Sequence, residues 1–189
     1  MLKTSKLIPQ GQGLASALLK RAASIDLDWD LRQKSRFETT DSLGRTVGVF
    51  LPRGTVLRGG DVLVAEDGSL IRVLAAPQKL LRITACAQHG SAFDLTRAAY
   101  HLGNRHVSIE LKADHLKIEP DHVLADMLRA MQLTVQEVME AFEPESGAYA
   151  SGGHAHGAAH EHAYKPTISI KAAEPAHVHG PGCAHDHHH

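Results

Sequence analysis

SAFDLTRAAYHLGNRHV, residues 91–107, carries the marks of one amphipathic helix with defined ends. Leu95, Ala98, Ala99 and Leu102 recur at the three- and four-residue spacing of a helix face, so they form a buried stripe. Ser91 is a candidate N-cap with Asp94 three residues on, and Gly103 can end the helix. Working outward, residues 80–86 read as a strand, two short strands follow the helix, and a second helix begins after Pro120 with Asp121 in the capping position. That helix, residues 122–131, buries Leu124, Met127, Leu128 and Met131, with the methionines as core filling. A last strand covers residues 134–142. The order βαββαβ is that of a ferredoxin-like domain, predicted for residues 77–150.

Upstream the pattern changes. In residues 24–35, Ile25, Leu27, Trp29 and Leu31 alternate with Asp26, Asp28, Asp30 and Arg32, which predicts one half-buried strand. Further strands are expected at residues 36–40, 46–51, 62–65 and 70–75, separated by the turn sequences DSLG, PRG, RGGD and EDG. The first 76 residues therefore read as a small all-β domain, joined to the second near residues 76–78. The class is α+β.

Ten of the 15 histidines in this 189-residue chain fall in its last 39 residues. That segment, 151–189, offers too little apolar surface to offset the entropy of ordering it, so it is expected to be a disordered, histidine-loaded tail. Its histidines come as close sets: His154 and His156, His160 and His162, His177 and His179, then His185, His187, His188 and His189. Neutral imidazole suits nickel, copper and zinc, so many moderate sites are expected, loading less as pH drops below about 6 and free histidine protonates. Twenty Lys and Arg against 21 Asp and Glu leave a formal charge of −1, without the basic footprint of a nucleic-acid or anionic-membrane partner. No run approaches the roughly 20 apolar residues of a membrane span. The apolar run of a signal peptide is broken by Gln10 to Gly13, so a cytoplasmic protein with reduced thiols is expected.

Among the remaining histidines, His106 stands out. It is read at the start of a strand, with Val107, Ile109 and Leu111 facing the core and His106, Ser108 and Glu110 projecting the other way. A solvated strand end is the plainer alternative. One imidazole does not hold a metal tightly, so a functional His106 needs a second copy from another subunit, as a two-fold dimer supplies. His122 sits in the first turn of the second helix, as an exposed residue beside its cap or part of a secondary metal site. His89, His101 and His115 are read as loop, surface or packing residues. Cys86 is expected in a buried strand as a small hydrophobe, whereas Cys183 lies among tail histidines, where a thiolate would favour copper(I) or zinc. Glu143 and Glu145, around Pro144, read as solvated turn residues. No phosphate loop, nucleophile elbow or HExxH helix occurs, and nothing requires an active site.

Four motifs in order, FLPRGTVLRGGDVL (50–63), YHLGNRHV (100–107), DHVLADML (121–128) and FEPESGAYA (142–150), closely resemble the urease accessory protein family UreE, which consists of nickel metallochaperones. The resemblance covers most of residues 24–150. It implies an N-terminal domain of the peptide-binding type, a ferredoxin-like metal-binding domain, and a homodimer with nickel(II) between protomers. It also implies donation to apo-urease in complex with accessory proteins that include a GTPase, without catalytic turnover. By the same resemblance, His106 is the interface ligand. Some members carry a further histidine two positions before the one in the DHVL motif. Here that position is Pro120, which leaves Asp121 and His122 alone. Two other functions stay open at this point: a nickel, zinc or copper buffer acting through the tail, and a protein-binding chaperone acting through the edges of the β-domain.

Overall fold

A computed structural model gives the structure of residues 1–146; the tail reading, with its ten histidines and Cys183, lies outside the described residues. Strands β1 (Leu2–Ile8), β2 (Ala23–Leu27), β3 (Arg36–Thr40), β4 (Thr46–Phe50), β5 (Val62–Ala65) and β6 (Leu70–Ala75) form one sheet in the order β2-β6-β5-β1-β4-β3. Two short helices, α1 (Ser16–Arg21) and α2 (Trp29–Arg32), interrupt it in sequence. Ile25, Leu27, Val47, Val49, Leu57, Leu63, Ile71 and Val73 fill its core.

Two features depart from the sequence reading. The alternation beginning at residue 24 does not continue as one strand: β2 ends at Leu27 and the chain turns into α2, because the Asp28 carboxylate accepts the Leu31 N–H at 2.9 Å and caps a helical turn. Trp29 and Arg32 are then both buried, which a strand would have placed on opposite faces. The first strand, β1, was not anticipated. It is largely polar, yet it sits inside the sheet, parallel to β4 and antiparallel to β5.

The second sheet follows the expected βαββαβ order: β7 (Gln78–Thr84), α3 (Ala92–Gly103), β8 (Glu110–Leu111), β9 (Leu116–Ile118), α4 (His122–Ala130) and β10 (Thr134–Glu140). Its strand order is β10-β7-β9-β8, with every pairing antiparallel. The N-caps are the predicted ones, whereas Gly103 is not the left-handed residue that ends α3. Ser91 and Asp94 form a capping box, and Asp121 accepts the Leu124 N–H at 2.9 Å. Leu95, Ala98 and Leu102 from α3 join Ala125 and Leu128 from α4 against Leu81, Ile83, Leu116 and Ile118 of the sheet.

Trp29, Leu80 and Phe142 form a third apolar cluster that draws on both sheets' segments, with the Trp29 and Phe142 rings edge to face at 6.0 Å. Beside it lies Arg32, fully buried. Its guanidinium donates to Leu27 O, Phe142 O and Glu143 Oε1. Arg58 also donates to Glu143, at 3.2 Å, and the Gly59 N–H does so at 2.8 Å. Glu143 is therefore not the solvated turn residue expected. It is the acceptor of a three-donor clamp joining the first half of the chain to the segment that follows β10. Among the described residues no helix is long and apolar enough to cross a membrane.

Candidate metal centre

His106 is exposed and is not in a strand. The helical backbone of α3 runs on through Asn104 (φ −62°, ψ −17°), after which His106 adopts φ +56°. Its N–H bonds to Gly103 O at 2.9 Å, and the Val107 N–H reaches back to Leu102 O at 3.3 Å. This pair of bonds is a Schellman ending with His106 at the left-handed position, where glycine is usual. Val107 packs against the core cluster that contains Leu102, the apolar contact that accompanies such an ending. A residue with a Cβ in this conformation costs about 1 kcal/mol. The imidazole thus stands at the negative end of the helix dipole, a favourable place for a cation.

The face after His106 also differs from the alternation read in the sequence. Ile109 and Glu110 are both buried and Leu111 is exposed, because Glu110 turns inward to bind Lys117 Nζ at 3.1 Å and accept the Glu143 N–H at 2.7 Å. His106 instead shares a surface cavity with Val107, Ser108, Ile109, Leu111, Glu145 and Ser146.

His122 is exposed at the first turn of α4, in a separate cavity with Pro120, Asp121, Arg129 and Glu137. The Asp121 carboxylate there is engaged as the helix cap. Cys86 is not a core residue: it lies beyond the end of β7, half-buried, with Sγ 3.9 Å from His89 Nδ1. His115 packs beside Asp114 at 2.7 Å, and His101 stands edge to face with Tyr100. Hence the body histidines are not brought together. Among the described residues, no three His, Cys, Asp or Glu side chains are grouped as metal donors. A single protomer body offers His106 with one carboxylate neighbour, Glu145, in its cavity. Glu145 is exposed, as its sequence reading as a solvated turn residue expected, in contrast to Glu143.

The description "UreE urease accessory protein, N-terminal domain" matches residues 4–76, and its C-terminal counterpart matches residues 78–189. The chain belongs to the UreE family of urease accessory proteins. The urease accessory protein UreE of Albidiferax ferrireducens is 72% identical over 187 residues, covering 99% of this chain and 100% of that one. That of Polaromonas naphthalenivorans is 72% identical over 186 residues, covering 98% and 88%. The Ralstonia nicotianae UreE is 52% identical over 157 residues, covering 83% and 72%. The two-domain UreE architecture, β-rich then α+β, is the one observed here, and membership of the family ties the chain to urease maturation.

Proposed function

We propose that this protein carries nickel(II) as cargo, bound by His106 from each of two protomers across a two-fold axis, and donates it to apo-urease as the metallocentre is assembled. The supporting observation is the placement of His106: exposed, at the negative end of α3, and, among the described residues of one protomer, without enough protein donors around it to hold an ion. A second copy supplies the second imidazole. Two imidazoles leave most of nickel's coordination positions to water or to incoming ligands, so the ion passes on without first dismantling a closed cage. Zinc and copper compete for the same donors.

In this reading residues 77–150 are the metal-binding domain, and residues 1–76 face the maturation machinery, including a GTPase and the urease apoprotein. The tail of residues 151–189 loads and buffers the ion. His122 is a secondary contact, weakened because Asp121 is committed to its helix. The chain performs no turnover of its own.

The test is calorimetric titration of nickel into the full-length chain with its ten tail histidines replaced by asparagine, beside the same chain carrying His106→Asn. One tight ion per dimer, lost with the substitution, is the expected result. Equal binding without His106, or no binding at all, overturns the proposal.

A further inference from the structure

Glu145 occupies an unusual position. Its backbone N–H bonds to Ile109 O at 2.8 Å, which pins it beside the segment that follows His106. The residues on either side are held by one side chain: Arg58 donates to Pro144 O at 2.6 Å and to Ser146 Oγ at 2.8 Å. Pro144 further restricts the backbone. Three attachments therefore fix the Glu145 main chain, and none uses its side chain. Its carboxylate is exposed and has no hydrogen-bond or ion-pair partner among the described residues, whereas Glu143, two residues earlier, is fully engaged. It lines the same cavity as His106.

We infer that Glu145 is a metal ligand of the His106 site, so that two protomers present two imidazoles and two carboxylates to the ion. This rests on the shared site proposed above. Two neutral imidazoles leave the full +2 charge of the ion uncompensated where two protomers meet, and an uncompensated charge taken from water is costly. Two carboxylates neutralise it. They also add oxygen donors to nitrogen, a set suited to an octahedral divalent ion and poor for copper(I). Two positions remain for water or for the ligands of a recipient. Because the main chain is already fixed, little ordering entropy opposes ligation.

The decisive experiment uses the full-length chain with asparagine in place of its ten tail histidines, titrated with nickel chloride as wild type at residue 145, as Glu145→Gln and as His106→Asn. Glu145→Gln is expected to weaken the first ion per dimer by ten- to a hundredfold or more, the scale of losing even a supporting partner of a metal site. Its thermal unfolding should stay unchanged, since the side chain makes no hydrogen bond or ion pair among the described residues. In the nickel-loaded parent, the carboxyl carbon of Glu145 should broaden beyond detection in carbon-13 spectra of glutamate-labelled protein, while that of an exposed glutamate elsewhere stays sharp. If His106→Asn abolishes binding but Glu145→Gln binds within twofold and the Glu145 signal survives loading, the carboxylate ligand is refuted and the histidine carrier stands. If His106→Asn leaves the first ion in place, the carrier reading fails and this inference fails with it. Should Glu145→Gln prove misfolded, Glu145→Ala titrated in the same way takes its place, and a Glu145 carbon signal that stays sharp in the loaded parent still refutes ligation.

Discussion

Arg32 and Glu143 are 111 residues apart in sequence and 2.7 Å apart in the fold, and the guanidinium is wholly buried. Burial lowers the pKa of Arg32 from its ordinary value, and the charge of Glu143 works against that shift. The Arg32 and Arg58 guanidiniums each lie 5.2 Å from the centre of the Trp29 ring, so one carboxylate and one indole serve two cations. The clamp anchors the segment that carries Glu145 to the His106 cavity, and through it the β-rich half of the chain shapes the candidate metal site.

Removing the carboxylate strands a buried charge. Glu143→Ala should therefore cost about 3 kcal/mol, the low end for breaking a buried pair, since Glu143 itself is partly solvated. Urea unfolding measures it. Glu145→Ala, by contrast, should stay within about 0.5 kcal/mol of the parent, as an exposed side chain without hydrogen-bond or ion-pair partners among the described residues. Equal costs for the two would contradict the clamp.

His106, the proposed ligand, has a backbone conformation usual for glycine. His106→Gly should thus be about 1 kcal/mol more stable than His106→Ala, because only alanine keeps the strained Cβ. Both should lose the tight nickel ion equally. Thermal melts of the metal-free variants check the first statement and calorimetry the second; an alanine variant as stable as the glycine one would remove the strain argument.

Burial pushes the Glu119 carboxyl above its ordinary range; Asp30 and Asp28 push it further, and a hydrogen bond with Gln78 opposes them. A raised acid disfavours the folded state wherever it is ionised. The penalty is complete above its folded pKa and vanishes once the pH is below the ordinary glutamate value. Glu119→Gln should accordingly raise the melting temperature at pH 7 and leave it unchanged near pH 3. A gain that persists in acid would point to packing instead of charge.

Asp121 caps α4 and neighbours His122, so its charge and its hydrogen bond can be separated. Asp121→Asn keeps the cap acceptor and should be nearly neutral in stability, whereas Asp121→Ala should lose about 1 kcal/mol. Neither should alter the nickel binding proposed at His106. If Asp121→Asn removed that binding in a titration, the principal site would lie at α4.

The N-caps and apolar stripes of α3 and α4 were legible in the sequence. Ser91 with Asp94, the stripe through Leu95, Ala98 and Leu102, and Asp121 after Pro120 determine α3 and α4, because capping and helical periodicity involve residues only a few positions apart. The same is true of β3 to β6, bounded by their turn residues, and of the motifs that place the chain in its family. What tertiary structure decided involves partners distant in sequence or backbone dihedrals without a local signature. The polar strand β1 became an interior strand because β4 and β5 flank it. The alternation through Trp29 and Arg32 broke where Asp28 capped a turn and Arg32 found Glu143. His106 became a helix ending, since its φ of +56° is set by bonds back to Leu102 and Gly103 as the chain turns toward β8. Glu143 and Glu145 are the same residue type two positions apart, and the sequence determined no difference between them. Only the fold brings Arg32, Arg58 and Gly59 to the first and leaves the second beside His106, because a charge's role depends on what packs against it.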